Sequence, residues 1–342
     1  MSARLQNDDT LPTVPFGTTG MNITRAGFGS WAVGGGDWAV GWGDQDDQDS
    51  IAAIRHAVSC GINWIDTAAI YGLGRSEEVV AAALRDIPVS ERPYIFTKCG
   101  MIGDPENPAE MPKRVGNPAS IRTEVEASLR RLGVDYIDLY QMHWPANDGT
   151  PLEDYWQTLL DLKTEGKIRA AGLSNHSVEQ LEAAEAIGHV DTLQPPFSAI
   201  KRNVADKELA WCARHNTGVI VYSPMQAGLL TGAFSKERVA SLPANDWRSR
   251  NAEFTEKLDA NLAVADAMKK VAARHGVSTA SVAVAWTLAW PGVTAAIVGA
   301  RSPKQVDGWI AAASLHLTTD DMAEIGAVIT ASGAGTGPAM PK

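Results

Sequence analysis

Eight short apolar runs, each followed by a stretch with helical periodicity, constrain this chain more than any other feature. The runs are AGFGSW (26–31), INWIDTA (62–68), YIFTKCG (94–100), YIDLYQMHW (136–144), IRAAGLSN (168–175), VDTLQPP (190–196), GVIVYSPM (218–225) and VTAAIVGA (293–300). Helical patterns lie between them at 49–60, 76–84, 120–132, 152–164, 177–186, 206–215 and 258–274, with a further run at 278–289 before the last strand. Two more, 303–313 and 320–329, come after it. Strands that alternate with helices run parallel, because each crossover helix carries the chain back to the same end of the sheet. Eight such units suit a closed (β/α)8 TIM barrel, a fold of roughly 250 residues or more. Ahead of the first unit, 14–16 and 21–23 flank the turn Gly17-Thr18-Thr19-Gly20 and read as a short β-hairpin. The expected fold is α/β: one barrel domain over 1–342, with an N-terminal β-hairpin, extra helices, and flexible ends at 1–12 and 333–342. A split into two domains would need a linker, and the sequence has none. The least regular stretches, 101–118 and 226–256, follow strands and are expected as long loops on the catalytic face.

Composition narrows the function. With 30 Lys+Arg against 40 Asp+Glu, the formal charge is -10, which argues against a nucleic-acid binder. A small anionic ligand stays compatible, since it needs only a local cation and some backbone N–H groups. No apolar run reaches the ~18 residues of a membrane span, and the start has no apolar signal core. Three widely spaced cysteines, Cys60, Cys99 and Cys212, form no disulfide framework and no metal clip, and read as reduced thiols of a cytoplasmic protein. Gly34, Gly36 and Ala39 fit a dinucleotide fingerprint only by force, because the glycines run into more loop instead of opening a helix. The run Asp44, Asp46, Asp47, Asp49 lacks the glycine and glutamate of a calcium loop and is expected to cap the following helix. No metal site is expected.

The chemistry is carried by three consecutive strands. The second ends in Asp66, with Tyr71 five residues on; the third ends in Lys98; the fourth ends in His143. In a parallel barrel these ends lie side by side at one face. Singly, each has an ordinary structural explanation. Together they make a proton-transfer site. A tyrosine has a pKa of about 10 and is a poor acid at neutral pH. An ammonium beside it, Lys98 held by Asp66, is expected to lower that value. Tyr71 can then protonate a carbonyl oxygen as it becomes an alkoxide, with His143 bonded to the same oxygen. A proton donor for an alkoxide implies a hydride donor opposite, which side chains cannot be, so a nicotinamide is expected.

With Asp66, Tyr71, Lys98 and His143 in this order, the chain resembles the aldo-keto reductases, from TGMNITRAGFGSW to about Ile329. The surrounding words GINWIDTAAIYGLGRSEEVVAAAL, LRRLGVDYIDLYQMHWP and GKIRAAGLSN resemble the family as well. The resemblance implies an extended nicotinamide cofactor lying across the strand ends. It implies Ser174, Asn175 and Gln194 as carboxamide contacts, and Phe197 as the ring that stacks on the nicotinamide. Tyr222, Ser223, Pro224 and Met225, with Gly228 and Leu230, are implied around the pyrophosphate. Gly299, Arg301 and Gln305 are implied at the adenosine phosphate, where Arg301 fits a 2′-phosphate and tilts the expectation to NADPH, with NADH admitted. The segment departs from the family after Gln305, where Asp307, Gly308 and Trp309 replace two acids and an asparagine.

Trp31, Trp144 and Trp247, with Trp38 and Trp42, are expected to wall the substrate pocket, which suits an apolar or ring-bearing carbonyl compound or its alcohol. The expected activity is NADP-dependent reduction of aldehydes or ketones. Two alternatives belong to other classes: a nicotinamide-sensing barrel like the potassium channel β-subunits, and a barrel isomerase or lyase, which leaves GLSN, VYSPM and GARS unexplained. Oligomeric state has no signature in the sequence.

Overall fold

The computed structural model describes residues 11–36, 38–243 and 246–341. A hairpin opens it, β1 (Thr13–Pro15) pairing antiparallel with β2 (Asn22–Thr24). There follow β3 (Ala26–Gly29), α1 (Asp47–Ser59), β4 (Trp64–Asp66), α2 (Arg75–Leu84), β5 (Tyr94–Cys99), β6 (Met101–Ile102), β7 (Lys113–Arg114) and α3 (Pro118–Leu132). Next come β8 (Ile137–Met142), α4 (Leu152–Thr164), β9 (Ile168–Ser174), α5 (Val178–Glu185), β10 (Thr192–Gln194), α6 (Glu208–His215) and β11 (Gly218–Val221). The chain ends with α7 (Lys236–Ala240), α8 (Leu258–His275), α9 (Thr279–Leu288), β12 (Ala295–Gly299), α10 (Pro303–Asp307) and α11 (Thr319–Ser332). Strands β3, β4, β5, β8, β9, β10, β11 and β12 close into a parallel barrel in chain order, the (β/α)8 architecture read from the alternation.

The side-chain period of two explains the barrel interior. Trp64, Phe96, Leu139, Ala170 and Ile220 pack together inside, with Ala295 and Ile297. Two residues further along β4, β5 and β8 the inward positions are Asp66, Lys98 and Gln141. The barrel is therefore apolar at one end and polar at the other, and the polar end is where the strands finish. Space for the Trp64 ring comes from Gly27, whose Cβ would lie 2.1 Å from it. The hairpin closes the apolar end: Phe16, Met21 and Ile23 join the interior cluster, and Trp64 Nε1–H donates to Thr24 O at 2.8 Å.

Helix starts follow their caps. The acidic run does cap α1: the Asp46 carboxylate accepts the N–H groups of Gln48 and Asp49. Ser177 with Gln180 opens α5, and Thr318 with Asp321 opens α11, each as a reciprocal capping box.

Two expectations change. The stretch 101–118, read as irregular loop, contains the β6–β7 hairpin, whose two-residue strands are too short to show alternation. Of the ends read as flexible, residues 1–10 and 342 lie outside the described residues, and 333–341 are held in place. Buried Arg202 donates to the carbonyls of Pro338, Gly337 and Ala334 at 2.8, 3.0 and 3.2 Å, and its N–H bonds Thr336 O. No helix among the described residues is long and apolar enough to cross a membrane.

Candidate active site

The polar end of the barrel gathers the four residues singled out by strand position. Lys98 Nζ lies 2.5 Å from Asp66 Oδ1 and also donates to Thr67 O at 2.8 Å. Both side chains are buried. The other Asp66 oxygen accepts Gln194 Nε2 at 2.9 Å and Gln141 Nε2 at 3.4 Å. Tyr71 stands in a 3-10 turn, Tyr71–Gly74, just past β4, with its ring centroid 5.2 Å from Lys98 Nζ. His143 follows β8, and its ring sits 5.7 Å from Tyr71 at an interplanar angle of 77°. The His143 backbone is fixed from both sides, its N–H by Cys99 O and its carbonyl by Asn175 Nδ2 at 3.0 Å.

A pair of glycines lets the Tyr71 turn come this close. A Cβ on Gly72, whose φ is +62°, would meet Gly34 O at 2.2 Å, and one on Gly34 would meet Gly72 N at 2.8 Å. The loop after β3 and the turn after β4 thus touch through bare backbone.

Electrostatics correct one expectation. Burial, then the charge of Asp66, push the Tyr71 phenol well above its ordinary value. The Lys98 ammonium, paired with Asp66, does not offset this rise. Burial also pulls Lys98 below its usual range, against the opposing pull of Asp66. His143 is driven well below its ordinary value by burial and by the charges of Lys98 and Arg114, so it is neutral at neutral pH.

Aromatic rings border the site. Trp31 and Trp38 lie 6.3 and 6.2 Å from the Tyr71 ring, and Trp31 meets Trp42 edge-on at 5.1 Å. Trp42 meets Trp247 at 5.8 Å, so Trp31, Trp42 and Trp247 form a row leading outward. Trp144 follows His143, its ring under the Arg114 guanidinium at 4.4 Å.

Residues 25–330 match the aldo/keto reductase family. The chain is 36% identical over 322 residues to the NADH-specific methylglyoxal reductase of Escherichia coli (strain K12), covering 91% of this chain and 96% of that one. Among solved structures, the glycerol dehydrogenase AKR11B4 from Gluconobacter oxydans superposes with a TM-score of 0.86 at 35% identity, covering 95% of this chain and 97% of that one. An aldo-keto reductase from Klebsiella pneumoniae in complex with NADPH gives 0.69 at 27% identity, with 92% and 94% covered. The chain belongs to the aldo/keto reductase family. As an aldo/keto reductase it is an oxidoreductase that works on carbonyl groups with a nicotinamide cofactor.

The segments expected to hold that cofactor are of three kinds. Some fit it. Asn175, at φ +64°, has its side chain suspended between His143 O, Ser174 Oγ and the Tyr222 hydroxyl, the last at 2.7 Å. Ser174 Oγ donates to Gln194 O at 2.8 Å. After Tyr222 the backbone turns left-handed at Ser223, Gln226, Ala227 and Gly228. Among the described residues, the N–H groups of Ser223, Met225 and Ala227 meet no backbone carbonyl. Unengaged N–H groups in such a turn suit an anionic pyrophosphate. Pro224 is buried beneath them.

Others are placed elsewhere. Phe197 is fully buried, stacked on Trp286 at 5.8 Å and edge-on to Trp290 at 5.3 Å, so it belongs to the core and not to the nicotinamide. A half-buried ring on this side of the tetrad is Tyr222, whose hydroxyl bonds Asn175. Gln194 is buried with its amide engaged by Asp66 and Gln141, which makes it part of the network under Lys98. Leu230 is buried too, and its N–H is held by Met225 O.

The third kind lies at the end of β12. Gly299 is exposed, with only Gly29 O, at 3.7 Å, near where a Cβ would be, and Gln305 Oε1 accepts the Arg301 N–H at 2.8 Å. The Arg301 guanidinium is bonded to Gln45 Oε1, Trp42 O and Asp44 O, carbonyls of the loop after β3.

Sequence reasoning overlooked a buried brace. The Tyr155 hydroxyl meets His176 Nε2 at 2.9 Å, and His176 Nδ1–H donates to Ser174 O at 2.8 Å. Burial lowers His176 to about 4, so it stays neutral and steadies the turn at Asn175. It follows GLSN directly, but its partner is 21 residues away, and no spacing signals that.

Proposed function

We propose that the protein reduces aldehyde or ketone carbonyls to alcohols, reversibly, with Tyr71 as the group that gives and takes the proton. The observation that carries this is the Tyr71 ring set between Lys98 Nζ at 5.2 Å and the His143 ring at 5.7 Å. A bound nicotinamide supplies the hydride. Every other task falls to this chain. Tyr71, kept protonated by its raised pKa, donates its O–H to the carbonyl oxygen. Lys98 stabilises the phenolate left behind, and Asp66 keeps Lys98 charged and aimed. Neutral His143 offers an N–H to the same oxygen and orients the carbonyl. The Trp31, Trp144 and Trp247 walls exclude water.

Cofactor roles follow the fits described above. Ser174 and Asn175 address the carboxamide, Tyr222 lies against the nicotinamide, and Ser223, Met225 and Gly228 line the pyrophosphate turn over Pro224. Gly299, Arg301 and Gln305 take the adenosine end. Arg301 supports NADPH as the preferred cofactor; the NADH-specific relative supports NADH as a second one. Three free thiols support residence in the cytoplasm.

The test is a fluorescence titration with NADPH and NADH, then loss of absorbance at 340 nm with a panel of aldehydes and ketones. Tight binding and turnover support the reading. Tight binding without turnover on any carbonyl overturns it in favour of a sensing role.

A further inference from the structure

One cation at the mouth of the site has no part in the reaction above. Arg114 lies on β7, and its register partner on β6 is Met101. Directly opposed residues of an antiparallel pair project to the same face. Met101 packs against the cluster of Trp38, Ala68 and Ile70, which Tyr71 also packs against, so that face of the ribbon is turned to the cluster that holds the catalytic tyrosine. The ribbon itself is anchored over the strand ends: Val115 N–H bonds Gly100 O next to β5, and Asn147 N–H, after β8, bonds Arg114 O.

The guanidinium stacks on Trp144, the residue after His143, at 4.4 Å. Among the described residues no carboxylate lies within salt-bridge distance of it, and its N–H groups donate to no protein acceptor. Asp148, in the loop after β8, is occupied by the N–H groups of Gly116 and Thr150. A second donor stands in the cluster that Met101 packs against. Trp38 Nε1 is buried with no partner among the described residues. A half-buried arginine held over an aromatic ring, with its fork free, is arranged to take a planar anion.

We infer that Arg114 reads a carboxylate on the substrate, so that the preferred carbonyl compound is an oxo acid: an aldehyde or ketone carrying an anionic group on the side away from the hydride. Trp38 Nε1–H supplies a further bond to that group. The inference rests on the reductase reading and names its substrate class. It is local: the chain as a whole is acidic, so a lone unpaired cation beside a neutral His143 is the feature that admits an anion.

The experiment uses matched aldehydes with the intact protein and NADPH: succinic semialdehyde against butanal, and 4-carboxybenzaldehyde against 4-methylbenzaldehyde. Within at least one pair the carboxylate member is expected to have a kcat/KM about ten-fold or more higher, the scale of a charge-assisted hydrogen bond, and the ratio falls as salt is raised. In Arg114→Met the ratio collapses toward one through KM. In Arg114→Lys, which keeps the charge but loses the fork, part of it survives. A merely structural role for Arg114 would lower both members of a pair together and leave the ratio alone. Turnover of all four aldehydes with no preference for charge, or an unchanged ratio in Arg114→Met, overturns the inference and leaves the reductase reading standing. No turnover of any of the four, with NADPH bound, overturns the reductase reading and this inference with it.

Discussion

The two ends of the cofactor track are built differently. At the nicotinamide end, Asp66, Lys98, Gln141, Gln194 and Ser174 sit on strands, are buried, and bond one another before any ligand arrives. At the adenosine end, Arg301 and Gln305 sit past the end of β12, partly or fully exposed, and Arg301 is bonded to carbonyls of a neighbouring loop. The contrast separates two kinds of precision. A strand end fixes a side chain through the barrel's own hydrogen bonds, so the chemistry is preorganised. A loop can exchange its bonds for those of a ligand, so selectivity between cofactors is settled where the protein can give way.

The sharpest way to break the comparison is Tyr71→Phe. The ring and its packing against Trp31 and His143 survive, while the proton donor goes. We expect kcat to fall by about 10²–10⁴-fold or more with NADPH affinity nearly unchanged, read by stopped-flow turnover and cofactor titration. Normal turnover would mean that another group supplies the proton. Next in size is Lys98→Met. It leaves buried Asp66 without its cation, which costs about 3–5 kcal/mol of stability as well as activity. In the double variant Asp66→Asn/Lys98→Met, urea unfolding should recover much of that stability and none of the activity. Equal stability in the single and double variants would show that the pair is not preorganised as described.

Legibility from sequence followed the same division. The eight strands and the tetrad could be read because strand periodicity and barrel order put Asp66, Lys98 and His143 at neighbouring ends without knowledge of any contact. Tyr71 was readable as a residue, but not its 3-10 turn, which depends on Gly34 and Gly72 meeting across two loops. Phe197 was misplaced because the resemblance alone supplied its role, and nothing in the sequence indicates that Trp286 and Trp290, about 90 residues later, bury its ring. Gln141 and His176 were passed over because their partners are brought in by the closure of the barrel. The glycine-rich tail read as flexible because nothing in SGAGTGPAMPK indicates that Arg202, more than 130 residues earlier, gathers its carbonyls.

Glu124 extends the comparison to pH. It lies on α3 behind the catalytic strand, where its carboxylate accepts the Gly100 N–H at 2.9 Å and the Ser120 hydroxyl at 3.2 Å. Burial raises it from 4.5 to about 7. The folded chain therefore holds a proton there that the unfolded chain releases near 4.5. This group's contribution is most favourable below about 4.5, declines as pH rises, and levels off above about 7, a total of at most roughly 3 kcal/mol. Urea midpoints at pH 5 and pH 8 should differ less in Glu124→Gln than in the wild type. An identical difference in both proteins would place the proton elsewhere.

The smallest expected effect lies at the loop-built end. If Arg301 reads a 2′-phosphate, it has to release Trp42 O and Asp44 O to do so. The free energy available is then only the difference between bonds to neutral carbonyls and bonds to a phosphate. That limits the gain to about ten-fold, well short of what a free arginine would give. Arg301→Ala should accordingly raise the Kd for NADPH by about that factor and the Kd for NADH by much less. The same substitution frees the loop after β3, so both cofactors should dissociate faster, even where affinity for NADH is little changed. A loss equal for both cofactors would mean that Arg301 only fastens the loop. In that case cofactor choice would have to be sought among the residues that follow it, where Asp307, Gly308 and Trp309 depart from the family's usual pattern.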